Sequence, residues 1–165
     1  MQGNVNRDAE ERSREYLKKL VEEYIVFIDT CSWMDERICS FVDNLMGPLK
    51  EFDKKVYLAL SVRNELQKFI DDTENGERRA KAQRAAKEIK RLQDNNMLVL
   101  IGDPNDSFTD NILLSVFNKY RLKKRLALVT QDRALSNDIL GLNAIQSSKG
   151  FPVVVCRING YAYLS

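Results

Sequence analysis

A chain of 165 residues, 44% hydrophobic and 30% charged, is long enough for one packed domain and too apolar to remain disordered. It contains no histidine, which excludes Ser-His-Asp and Cys-His catalysis and the usual histidine-containing zinc sites. The net charge of +2 hides an asymmetry: residues 1–77 carry 11 basic against 17 acidic side chains, residues 78–165 carry 15 against 7.

In chain order, residues 4–23 are highly charged, with Tyr16, Leu17, Leu20 and Val21 at helical spacing, and predict an amphipathic N-terminal helix. YIVFID (24–29) is short, apolar and β-branched, as a buried strand is. A helix over 30–46 follows, with Trp33, Ile38, Phe41, Val42 and Leu45 on one face, Ser32 and Asp35 spaced as its capping box, and Gly47-Pro48 as its stop. KVYLALSV (55–62) predicts a second strand and NELQKFIDD (64–72) a short helix. Residues 77–95 form a longer helix with the stripe Ala82, Ala85, Ala86, Ile89 and Leu92. MLVLI (97–101) is a third strand, and Ser107 opens a helix burying Ile112, Leu113, Val116, Phe117 and Tyr120. LALVT (126–130) is a fourth strand, RALSNDILGL (133–142) a helix and PVVVCRI (152–158) a fifth strand. Short apolar strands alternating with helices predict a three-layer α/β/α sandwich around a mostly parallel five-stranded sheet, with the domain spanning 24–165 and residues 1–23 a helical extension.

No stretch approaches the roughly 20 apolar residues of a membrane helix. The N-terminus lacks the apolar core of a secretion signal, so a cytoplasmic protein without a membrane partner is expected. Cys31, Cys39 and Cys156 are odd in number and form no CxxC pair, which argues against a disulfide framework or zinc knuckle. Cys31 reads as a small buried filler, and without histidine a thiolate nucleophile has no base.

Open parallel sheets bind ligands beyond the carboxyl ends of their strands. Asp29 ends the first strand, Glu65 lies on the first turn after the second, Asp110 on the first turn after the third, and Asp132 two residues past the fourth. Taken singly, Asp110 completes a capping box with Ser107, and Glu65 and Asp132 are ordinary acids near helix N-termini. Four carboxylates at one edge are another matter, since two of them about 4 Å apart repel by ~4 kcal/mol at an effective dielectric near 20. A hard divalent cation relieves that repulsion, and carboxylate-bound cations typically serve phosphoryl chemistry.

The segments VFIDTCSW (26–33), SVRNEL (61–66), TDNILLSVF (109–117) and LVTQDRAL (128–135) together resemble the PIN domain, the metal-dependent ribonuclease fold of toxin–antitoxin toxins and RNA-processing nucleases. The resemblance covers roughly residues 24–158. It implies that Asp29, Glu65, Asp110 and Asp132 hold one or two Mg²⁺ or Mn²⁺ ions, with Thr130 as the hydroxyl beside the fourth acid. It further implies strand order 3-2-1-4-5 and hydrolysis of RNA by a metal-activated water, leaving a 5′-phosphate and a 3′-hydroxyl. RNA is the expected partner, and the family also admits a protein inhibitor such as an antitoxin, or a homo-oligomer.

The basic runs at 77–91 and 119–125 read either as solvated surface or as a phosphate-tracking path, with Arg78, Arg79, Lys81, Arg84, Lys123, Lys124 and Arg125 as the nucleic-acid-binding candidates. Two rival readings stay open: a binding or scaffolding module of the same fold, and another acid-cluster phosphohydrolase. A haloacid-dehalogenase-type phosphatase would need an acid two residues after Asp29, where Cys31 stands.

Overall fold

Val, Ile and Leu dominate Ile25–Ile28, Val56–Ala59, Leu98–Ile101, Leu126–Val129 and Val154–Cys156, and these segments are strands β1 to β5 of the computed structural model, which describes residues 2–103, 109–144 and 150–165. Strands apolar on both sides need cover on both faces, as parallel sheets have. All four pairings are parallel, in the order β3-β2-β1-β4-β5 expected above. The helices are α1 (Gln2–Glu23), α2 (Thr30–Trp33), α3 (Ile38–Glu51), α4 (Leu60–Asp71), α5 (Gly76–Asp94), α6 (Thr109–Tyr120) and α7 (Arg133–Gly141).

The strand order reverses between β1 and β4. Right-handed crossovers then put α3 and α5 on one face and α6 and α7 on the other, completing an α/β/α sandwich. Packing agrees with this: α3 meets α5, α6 meets α7, and Phe27 of β1 sets its ring edge-on to Phe117 of α6 at 5.0 Å. Leu17, Leu20 and Val21 of α1 are buried in the same core as Trp33, Phe41 and Leu45, so the second half of α1 is part of the packed body. Arg14 on α1 donates to the Tyr163 hydroxyl, and the Ser13 hydroxyl accepts from Asn159, fastening α1 to the C-terminal segment.

The elements depart from expectation where tertiary contacts override local signals. The single helix over 30–46 is two helices, separated at Met34–Arg37. The capping box of Ser32 and Asp35 does not form; Asp29 caps α2 by accepting from the Ser32 N–H, while Asp35 pairs with Arg37. Gly47-Pro48 does not stop α3, which carries Pro48 inside it and ends at Glu51. A proline in a helix interior costs about 3 kcal/mol, and burial of Leu49 one residue on offsets most of it at about 1.5–3 kcal/mol. The turn that follows places Asp53 in left-handed backbone at φ 53°, where its N–H and that of Lys54 return to Lys50 and Leu49.

Residues 60–62 are helical rather than strand, because β2 passes straight into α4 at Ala59. Glu65 therefore sits on the second turn of α4, not its first. The fifth strand is trimmed to Val154–Cys156, after which Ile158 pairs antiparallel with Leu164 in a closing turn that includes Ala162 at φ 57°. Tyr120 is 44% exposed rather than buried. The expected helix start at Ser107 lies outside the described residues.

Candidate active site

The register of the sheet builds the site. Ile28 pairs with Val129 and Val129 with Cys156, so Asp29 and Thr130 leave β1 and β4 side by side at the reversal of strand order. The Asp29 N–H donates to the Val129 carbonyl at 3.1 Å, and that of Thr130 to the Cys156 carbonyl at 2.9 Å, which extends the ladder by one residue at each strand.

Asp29 is 3% exposed, and a buried carboxylate needs its lone pairs filled. Oδ1 accepts the Ser32 N–H at 2.9 Å, and Oδ2 accepts the Thr130 hydroxyl. The Cys31 thiol spans both oxygens, at 3.2 and 3.0 Å. Burial pushes the Asp29 carboxyl above its ordinary value, while the hydrogen bonds from Thr130, Cys31 and Ser32 pull it back. Burial, and next the Asp29 charge, push the Cys31 thiol up to about 11, so the sulfur keeps its proton and acts as a donor. Cys31 is an exposed residue rather than the buried filler expected from the sequence.

The other acids are tied in through hydroxyls. Thr130 Oγ1, while donating to Asp29, accepts the Asp132 N–H at 3.0 Å. Asp132 is exposed and caps α7, its Oδ1 accepting from the Leu135 N–H at 3.1 Å. Glu65, half-buried, accepts from the Thr30 hydroxyl at 3.2 Å, linking α4 to the residue next to Asp29. Asp110 is the second residue of α6, and its side chain lies outside the described residues. Among the described residues no three His, Cys, Asp or Glu side chains gather closely enough to hold a metal ion. Asp29, Glu65 and Asp132 thus share one sheet edge, joined through Thr30 and Thr130 rather than by direct convergence.

Three contributors were not foreseen: Thr30 on Glu65, Cys31 on Asp29, and Gln131, whose amide donates to Asp35 and to the Ile158 carbonyl, both at 3.3 Å. Thr30 and Gln131 carried a signal, as polar residues adjoining strand-end positions. The Cys31 contact depends on a rotamer and had none.

The basic candidates divide between the two edges of the sheet. Lys123, Lys124 and Arg125 precede β4 and so lie at the amino edge, opposite Asp29; Lys124 and Arg125 line a pocket there with Tyr24, Asp53 and Lys55. Arg84 of α5 donates to the Met34 carbonyl at the end of α2, on the Asp29 side. Arg78 is held by Asp72 at 2.7 Å and stacks on Phe69, and Lys81 pairs with Glu77 at 3.3 Å. Arg79 is half-buried.

The chain is an α/β/α sandwich whose central parallel strand delivers a buried aspartate to the crevice where strand order reverses. No protein-family model and no curated protein matches it. Among the described residues, no helix is long and apolar enough to cross a membrane.

Proposed function

We propose that this protein is a divalent-metal-dependent endoribonuclease of the PIN-like kind, with Asp29, Glu65, Asp132 and Asp110 as its acids. The observation that carries the reading is Asp29: a carboxylate 3% exposed, at the end of the central strand, bridged through Thr130 to Asp132. A core aspartate without a cation partner is costly, and a strand-end position at the sheet's crevice is where parallel α/β folds hold ligands.

The donor set suits a hard cation, because the acids and hydroxyls at this edge offer oxygens without imidazole and the Cys31 thiol beside Asp29 keeps its proton. Asp29 and Asp132 would hold Mg²⁺ or Mn²⁺, with Glu65 alongside. The ion would supply a water of lowered pKa and positive charge for the phosphate. The chain's own part is positional. Thr130 fixes the Asp29 carboxylate and orients the backbone of Asp132, Thr30 steadies Glu65, and the sheet excludes water from the buried side of Asp29.

Incubation of the purified protein with labelled RNA in Mn²⁺, Mg²⁺ or EDTA tests the reading. Cleavage should require metal and vanish in Asp29→Asn and Asp132→Asn, whose side chains can still cap their helices. Activity persisting in EDTA, or in both variants, overturns it. RNA bound but never cut would favour a binding module, and hydrolysis of p-nitrophenyl phosphate without RNA cleavage a phosphatase.

A further inference from the structure

Beyond the carboxyl ends of β4 and β5 lies a pocket of about 240 Å³, walled by Thr130, Asp132 and Val155 and rimmed by Arg133, Arg157 and Asn137. Thr130 lines this pocket and donates to Asp29, so the pocket adjoins the Asp29 site. Arg133 and Arg157 are exposed, come from different elements, and make no side-chain ion pair among the described residues. By contrast, Arg14, Arg37, Arg78, Arg84 and Arg91 all donate to protein acceptors.

We propose that this pocket receives one backbone phosphate of an RNA strand, with its ribose, next to the bond cut at Asp29, and that Arg133 and Arg157 clamp that phosphate. The inference rests on the nuclease reading for the strand's direction of approach, and on the pocket itself for the contact. Three features select the ligand. Two arginines lining one cavity match a phosphate, which guanidiniums bind with paired N–H donors. The volume falls below the 300 Å³ or so of pockets that enclose whole drug-sized ligands, so it suits a phosphate and sugar with the base left outside. The remaining polar lining, Gln131, Ser136, Asn137 and Ser165, offers hydroxyl and amide groups for a ribose. Asp132 alone carries opposing side-chain charge there, and it is the residue assigned to the cation.

The basic runs that stand out in the sequence do not include these two residues; Arg133 and Arg157 are isolated in the chain and meet only through the β4–β5 pairing.

The test is RNA binding by the full-length protein in Ca²⁺, with a fluorescent single-stranded oligoribonucleotide as probe, for the parent, Arg133→Gln, Arg157→Gln and the double variant. Arg133→Lys and Arg157→Lys serve as charge-conserving partners, and melting temperatures verify folding. The double variant should weaken binding at least tenfold and lower the slope of log K against log salt by about 0.7, the value for one phosphate contact on a single strand. The lysine variants should recover the slope but only part of the affinity, since lysine lacks the paired donor geometry. A second probe carrying one uncharged methylphosphonate next to the cleavage position should abolish the difference between parent and double variant. Unchanged affinity and slope in a folded double variant overturn the clamp, even if cleavage in Mn²⁺ persists and the nuclease reading stands. Arginine-dependent binding without any cleavage supports the clamp and removes the nuclease.

Discussion

The Thr130 hydroxyl donates to the buried Asp29 carboxylate and accepts the Asp132 N–H, so one side chain joins the ends of neighbouring strands to the start of α7. Its removal strips the Asp132 N–H of its acceptor and leaves the buried Asp29 Oδ2 only the weak Cys31 thiol donor, at about 1–3 kcal/mol for each group left short. Thr130→Val, which keeps the shape, should destabilise the protein by about 2–4 kcal/mol in urea unfolding, and Thr130→Ser by less than half of that. Equal stability of the valine variant and the parent would mean that the bridge contributes nothing.

Cys31 should react slowly with iodoacetamide near neutral pH, its rate climbing towards pH 11 as the thiol, held up by burial and by the Asp29 charge, finally ionises. Asp29→Asn removes the charge and lowers that pKa, so its Cys31 should alkylate faster at pH 8. Mass spectrometry of the modified peptide separates Cys31 from Cys39, which is also exposed. A slower or unchanged Cys31 in Asp29→Asn would contradict the contact.

Asp35 supplies a pH dependence of known sign. Side-chain hydrogen bonds from Arg37, at 2.9 Å to each carboxylate oxygen, hold its carboxyl down to about 2 against an ordinary 3.8. A depressed native pKa adds stability above the unfolded value, and that stability is lost as the pH falls through about 2. Asp35→Asn should therefore lower the urea midpoint at pH 6, and the gap to the parent should close between pH 4 and 2. A gap that stays constant over that range would assign the effect to packing instead.

Metal should stabilise the parent protein. At a hundredfold excess over its dissociation constant, Mn²⁺ adds about 2.7 kcal/mol by mass action, read as a rise in melting temperature that EDTA reverses. Trp33, the single tryptophan, is fully buried one turn after Asp29 and gives a second signal. Asp29→Asn should show little of either response. A parent protein indifferent to Mn²⁺ in both measurements removes the metal from the proposed function.

Much of the architecture was readable in the chain, because each strand is a short β-branched run and each helix carries its own periodic apolar face. VFI, LVLI, LALV and VVVC are apolar on both sides, and that alone requires a sheet covered by helices on both faces. The positions of Asp29 and Asp132 at strand ends were equally local, since they depend only on where hydrophobic runs stop. What the tertiary structure decided was everything that depends on who lies opposite whom. Pro48 stays inside a helix because Leu49 is buried beyond it. Ser61 and Val62 leave the strand, which carries Glu65 round to Thr30. Lys123, Lys124 and Arg125 stand out as a charge run but fall on the amino edge, away from the acids, since a parallel sheet puts what precedes a strand at its far end. Arg133 and Arg157, 24 positions apart in sequence, line one pocket only because β4 and β5 are neighbours. Hydrophobic periodicity is written along the chain, whereas the meeting of side chains from separate strands is set by register and crossover, which no local pattern records.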